Sequence, residues 1–271
     1  MNDASNLYLD LMKKCLTNWI YGDTEIKIIK GKYFPKREVI GLLNKYGYQI
    51  IKSAPMDPYK RSSGLDWPLT AHTMVGLKRL NNIQQCIEDV LSKGVPGDVI
   101  ECGVWRGGAS IFMRAILKAH NVKDRTVYVA DSFQGCPPPN TKKYPQDKEV
   151  HLSDYGGTLA IPLEKVKANF KSYDLLDEQV RFLEGWFKDT LPQASFKKLA
   201  VMRLDGDLYE STIDALTNLY SKLSQGGYVI VDDYYSIPAC KEAVTDYRNS
   251  HDITDKITDI DESSVYWQKN K

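Results

Sequence analysis

Apolar positions change their period along this chain. In the first ninety or so residues they recur at helical spacing. Beyond residue 98 they gather into short runs, each followed by an acidic or glycine-rich turn. Leu7, Leu9, Leu11, Met12, Cys15, Leu16 and Trp19 suit one face of a helix. Residues 1 to about 50 otherwise mix short amphipathic pieces with turns. Residues 54–70 read as a loop, because Pro55, Pro58, Ser62, Ser63, Gly64, Asp66 and Pro68 crowd it with turn formers. Helical spacing returns from Thr73 to Leu91 through Met74, Leu77, Leu80, Ile83, Ile87 and Leu91, and Gly94, Pro96 and Gly97 end it.

Strands then alternate with helices. Val99-Ile100, Thr126 to Ala130, Val180 to Leu183, Leu199 to Leu204 and Tyr228 to Val231 read as strands, with a last one at Val265 to Trp267. Ala109 to His120, Leu163 to Phe170, Thr212 to Leu223 and Ile237 to Arg248 read as helices. Such alternation predicts an α/β fold with a parallel, doubly wound sheet. Residues 136–160 form a long Pro/Lys/Gly segment with little periodicity, including Pro137-Pro138-Pro139 and Gly156-Gly157. Loops of that length in a compact domain are mostly functional lids or disordered segments, and a lid closing over the site is expected here.

Ligands of open α/β sheets bind beyond the carboxyl ends of the strands, and three acidic segments fall there. They are Ile100 to Gly108, Arg203 to Glu210 and Val229 to Tyr234. In the first, Gly103 and Gly107 let the backbone turn sharply and approach a ligand, and Gly107-Gly108-Ala109-Ser110 opens a helix. Asp131 ends the next strand, where it could accept hydrogen bonds from two ribose hydroxyls. The G-x-G-x-x-G dinucleotide fingerprint is absent, since bulky Trp105 stands in it. Glu101 would repel a pyrophosphate and suits a cationic amino-acid tail, as in S-adenosylmethionine. Trp186, after Gly185, could cover a purine or simply fill the core. A glycine-rich turn without a ligand is the plain alternative.

The other two segments bring aspartates together. Carboxylates repel unless a cation or a proton is shared between them. Mg²⁺ prefers oxygen ligands, and Asp205, Asp232 and Asp233 could supply three. Asp207, two residues further on, could act as a general base on a metal-polarised hydroxyl. A set of acidic turn residues and helix caps is the alternative. His72 and His151 are alternative bases without a visible partner, and His120 and His251 read as solvated.

Composition narrows the class. The chain has 271 residues, 42% of them hydrophobic, and a net charge of +1. That argues against a dedicated nucleic-acid binder. Cys15, Cys86, Cys102, Cys136 and Cys240 are scattered, without metal-like spacing or a disulfide framework. No leader and no membrane-length apolar run is visible, so a cytoplasmic protein with no membrane partner is expected.

At these residues the chain resembles the macrocin O-methyltransferase family. The matching text includes Asp66-Trp67-Pro68, Ala71 to Leu77, Glu101 to Ala109, Asp131-Ser132-Phe133, Gly185 to Pro192, Arg203 to Thr212 and Asp232-Asp233-Tyr234. It spans roughly residues 60–250. The resemblance implies a Rossmann-like methyltransferase sheet over residues 91–271, a helical extension and cap over 1–90, and a lid loop at about 136–160. It implies S-adenosylmethionine and Mg²⁺, with Asp205, Asp232 and Asp233 holding the metal and Asp207 as base. Glu101, Gly103 and Asp131 would bind the cofactor, joined by Thr73 and Met74 from the preceding helix. Ser110, Ser132, Gly185 and Trp186 complete the expected cofactor set. The partner would be a small hydroxylated acceptor, a sugar of a glycosylated natural product or else a polyketide alcohol. The protein would be a homo-oligomer. A nicotinamide-dependent oxidoreductase and a non-catalytic nucleoside- or metal-binding module are the competing readings.

Overall fold

Short β-branched runs form the strands and helically spaced segments cover them, in a computed structural model that describes residues 3–21, 24–29, 35–150, 152 and 158–270. In chain order the elements are α1 (Asp3–Leu16), β1 (Thr24–Ile28), α2 (Lys36–Lys45), β2 (Ile51–Pro55), α3 (Pro58–Ser63) and α4 (Leu77–Ser92). Then follow β3 (Asp98–Cys102), α5 (Gly108–Ala119), β4 (Val127–Asp131), α6 (Leu163–Ser172), β5 (Val180–Glu184) and α7 (Phe187–Thr190). The chain ends with β6 (Leu199–Leu204), α8 (Tyr209–Leu219), β7 (Leu223–Val231), α9 (Pro238–Ser250), β8 (Thr258–Asp259) and β9 (Val265–Gln268).

The main sheet has seven strands in the order β5-β4-β3-β6-β7-β9-β8. Strands β3 to β7 are parallel, as the alternating pattern predicts. The last two depart from it: β9 lies antiparallel to both β7 and β8. Helix α9 carries the chain across the sheet to β8, and a tight return then slots β9 between β8 and β7. A hairpin return can only be antiparallel.

Both faces of the sheet are buried, which is why its strands read as near-continuous apolar runs. Val99, Val127, Val129, Val201 and Ile230 join one core with residues of α1, α4 and α5. Ile100, Tyr128, Met202, Val229 and Val231 alternate with them and join the other core, with α8 and α9.

Several details differ from the sequence expectation. Helix α4 starts at Leu77 behind Gly76, so Thr73 and Met74 lie in the turn ahead of it rather than in the helix. The stretch read as a loop holds α3, whose first N–H groups are capped by Asp57. Strands β1 and β2 pair antiparallel, with α2 between them in the chain. In α1, Leu9, Met12 and Leu16 are buried, whereas Leu7 and Leu11 are exposed. Gly156 and Gly157 lie outside the described residues. No helix among the described residues is long and apolar enough to cross a membrane.

Candidate active site

Strands β3 and β6 set the site's charge pattern. Their register places Glu101 beside Arg203, on the face shared by Val99 and Val201. Both side chains are buried, and a buried charge must be paired. The Arg203 guanidinium donates to Glu101 Oε1 at 2.6 Å and to Asp205 Oδ2 at 2.8 Å. It also donates to Asp232 Oδ1 from its other terminal nitrogen. The second oxygen of Asp232 accepts from Arg79 Nη1 at 2.6 Å, and Arg79 Nε reaches Asp261 at 2.8 Å. Two arginines thus tie together the ends of three strands. Sequence reasoning missed both. The signal was Arg203 itself, a cation inside the apolar run Leu199–Leu204.

A cavity of about 810 Å³ opens beyond these strand ends. Thr73, Met74, Glu101 and Gly103 line it, as do Asp131, Ser132, Gly185 and Trp186. Ser110 does not. It is buried behind Glu101 and donates to Glu101 Oε2. Burial pushes the Glu101 carboxyl up to about 7, against the opposing pull of Arg203 and Ser110. Burial also raises Asp131, although its oxygens accept from Val104 N–H at 2.8 Å and Phe133 N–H at 2.7 Å. Gly103 has φ +87°, and a Cβ there would stand 1.8 Å from the Asp205 carbonyl oxygen. Glycine is therefore required where the turn after β3 abuts the turn after β6, independently of any ligand. Gly108 likewise abuts the backbone of His72, to which its N–H donates at 3.0 Å.

Aspartates line the same cavity. Asp205, Asp207 and Asp233 can each offer an oxygen within 4.8 Å of the others, and they form the potential cation cluster among the described residues. Asp233 Oδ2 is buried without a hydrogen-bond partner. Burial and mutual repulsion raise all three: Asp207 to about 7, Asp233 to about 8, and Asp205 well above the usual carboxylate range. Asp232 goes the other way. Burial would raise it, but Arg203 and Arg79 hold it below its ordinary value. Sequence reasoning grouped Asp232 with Asp205 and Asp233. The structure brings Asp207 into that group and commits Asp232 to two arginines. Asp207 itself holds φ +61°, a left-handed conformation that costs energy for most non-glycine residues.

The histidines stand apart. His72 Nδ1 lies 2.7 Å from the Tyr173 hydroxyl. Burial, then Arg106 and Lys165, lower its pKa. It is absent from the cavity wall. His151 lies outside the described residues.

Comparison with known proteins gives this arrangement a family. The macrocin O-methyltransferase family model matches residues 5–269. The chain is 53% identical to 8-demethyl-8-(2,3-dimethoxy-alpha-L-rhamnosyl)-tetracenomycin-C 4'-O-methyltransferase of Streptomyces olivaceus, over 98% of this chain and 94% of that one. It is 52% identical to demethyldecarbamoylnovobiocin O-methyltransferase of Streptomyces niveus, over 100% of this chain and 96% of that one. The solved structure of the O-methyltransferase NovP matches with a TM-score of 0.85 and 51% identity, covering 98% of this chain and 100% of that one. The chain belongs to the macrocin O-methyltransferase family and is an O-methyltransferase. Its fold implies S-adenosylmethionine as methyl donor, which decides against the nicotinamide and non-catalytic readings.

Proposed function

We propose that this O-methyltransferase methylates a sugar hydroxyl of a glycosylated natural product, with a polyketide alcohol as the other acceptor class, and does so with a divalent cation, Mg²⁺. The observation that carries this reading is one cavity lined both by Glu101, Gly103, Asp131 and Trp186 and by the clustered carboxylates of Asp205, Asp207 and Asp233. Names of the relatives support the acceptor class: one acts on a rhamnosyl-bearing tetracenomycin, another on demethyldecarbamoylnovobiocin.

In this reading Asp131 accepts from the ribose hydroxyls and Glu101 faces the cationic amino-acid tail of the donor. Thr73, Met74, Ser132, Gly185 and Trp186 shape the cavity walls around the donor, and Ser110 orients Glu101 from behind. Asp205, Asp232 and Asp233 would hold the cation. Asp205 and Asp233 fit it, since their oxygens lie within 4.8 Å of each other and Asp233 Oδ2 is an unpartnered buried oxygen; Asp232 would join them through a lone pair left beyond its bonds to the arginines. The donor supplies an electrophilic methyl group, and the cation supplies Lewis-acid polarisation of the acceptor hydroxyl. Asp207 accepts the hydroxyl proton, because it lines the same cavity and its carboxylate lies in the cluster with Asp205 and Asp233. The segment at about 136–160 acts as a lid that excludes water. The first ninety residues form an extension and cap on the methyltransferase domain. Exposed Leu7, Leu11, Val39 and Leu42 on α1 and α2 support a homo-oligomer, and the free cysteines support the reducing cytoplasm.

The test is transfer of a labelled methyl group from S-adenosylmethionine to a panel of glycosylated and polyketide alcohols, with and without Mg²⁺. Labelling of glycosides is the expected result. Incorporation only into aglycone alcohols would overturn the sugar assignment.

A further inference from the structure

The segment that walls the cavity from Cys136 to Asn140 continues into a buried carboxylate that methyl transfer leaves without a role. Asp147 sits in the 3₁₀ turn Pro145–Glu149, inside the long segment between β4 and α6, and is fully buried. Both its oxygens accept from the backbone of a distant segment. Oδ1 takes the Tyr209 N–H at 2.6 Å and Oδ2 takes the Glu210 N–H at 3.1 Å. These are the first two N–H groups of α8, which no intrahelical carbonyl can satisfy. A helix commonly answers them with a Ser, Thr, Asp or Asn at its own N-cap. Helix α8 has Leu208 there, with no side-chain cap. Its cap arrives instead from a residue 62 positions away.

Two further contacts join the same pair of segments. The Cys136 thiol donates to Asp207 Oδ2 at 3.4 Å. The Tyr144 ring lies against the Tyr209 ring, centroids 5.6 Å apart. All four contacts start between Cys136 and Asp147 and end between Asp207 and Glu210. Asp207 stands at the centre of that turn with φ +61°, a conformation that persists only where the surroundings fix it.

We infer that Asp147 is a positioning residue for Asp207. By capping α8 across the chain it clasps the Cys136–Val150 rim onto the turn that carries Asp207, so that a closed rim and an aimed carboxylate are one state. The inference rests on Asp207 being the proton acceptor. Releasing the clasp frees the start of α8, and a displacement of about 1 Å in a reacting group can cost about 10²-fold in rate.

The experiment compares the full chain with Asp147→Asn and Asp147→Ala. Iodoacetamide labelling at one fixed pH is read peptide by peptide, because Cys15 and Cys136 are partly exposed while Cys86, Cys102 and Cys240 are buried. Losing charge-assisted hydrogen bonds of this kind shifts an equilibrium by about tenfold or more. Asp147→Ala should label Cys136 about tenfold faster, with the other cysteines unchanged. Its kcat should fall by a similar factor, at an unaltered KM for S-adenosylmethionine. Asp147→Asn keeps an accepting oxygen and should fall between the two proteins on both readouts. If Asp147→Ala does not fold, Asp147→Asn alone must label faster at Cys136 and turn over more slowly. Unchanged Cys136 labelling, or a parallel rise at all five cysteines, overturns the clasp. Full activity of Asp207→Asn would overturn the base reading instead, and the labelling series separates these two failures.

Discussion

Gly103 and Asp207 both hold positive φ at the site, and they predict opposite outcomes on substitution. A Cβ at position 103 would stand 1.8 Å from the Asp205 carbonyl oxygen, at φ +87°. Gly103→Ala must therefore part β3 from β6 or abandon its φ, at a cost of at least about 1–3 kcal/mol. Thermal unfolding should show a lowered Tm even with no ligand present, and an unchanged Tm would deny the close approach. Asp207 also has positive φ, but asparagine tolerates that region as well as aspartate does. Asp207→Asn should keep its Tm and lose kcat by about 10²–10⁴-fold, the usual range for a general base. Steady-state kinetics on the best acceptor checks this. Near-normal kcat would return the base to a histidine, although His72 is already engaged with Tyr173.

Among the elements, α1 matters more than its place at the start of the chain suggests. Leu9, Met12 and Leu16 share one core with α5. The carbonyl of Leu16 accepts from His72 N–H at 2.9 Å and Thr73 N–H at 3.2 Å. The helix therefore fixes the turn that presents Thr73 and Met74 to the cavity. Leu16→Ala should cost about 2–5 kcal/mol, as buried leucine truncations do, and should also raise KM for S-adenosylmethionine. Denaturant unfolding and donor-saturation curves would show whether the two effects travel together; a stability loss with unaltered KM would detach α1 from the site. The parallel strands were legible in the sequence because both their faces are buried, so their composition alone marks them. Strand β9 was legible as a strand but not as antiparallel, since direction is set by the hairpin that precedes it. The β1–β2 pair was hidden because Glu25, Lys27 and Lys52 give it the look of a turn-rich surface. Asp147 left no signal at all: its partners are backbone N–H groups, which sequence does not distinguish.

At the scale of the whole molecule, net charge says nothing about this site. The chain carries only +1, yet around the cavity two guanidiniums, Arg79 and Arg203, face Glu101, Asp131, Asp205, Asp207, Asp232 and Asp233. Strand ends with acidic tips were readable one by one. The division of labour among them was not, because it depends on which carboxylates the arginines claim. With Asp232 held by both arginines and Asp205 by one, the excess negative charge falls on Asp207 and Asp233, and burial keeps water from screening it. Folding must hold these groups together against their repulsion, or protonate them. A divalent cation would relieve that repulsion in the folded state alone, since the unfolded chain scatters the ligands. Binding to the folded state stabilises by about 2.7 kcal/mol at a hundred times Kd, which for a chain of this size corresponds to a rise in Tm of about 5–10 °C. Chelator-treated protein should therefore gain that much on adding Mg²⁺, and its methyl transfer should return with it. Asp233→Asn should lose the gain, and in chelator it should melt no lower than the unsubstituted protein, because one repelling charge is gone. A Tm indifferent to Mg²⁺, together with full turnover in chelator, would leave the cluster to share protons instead of a metal.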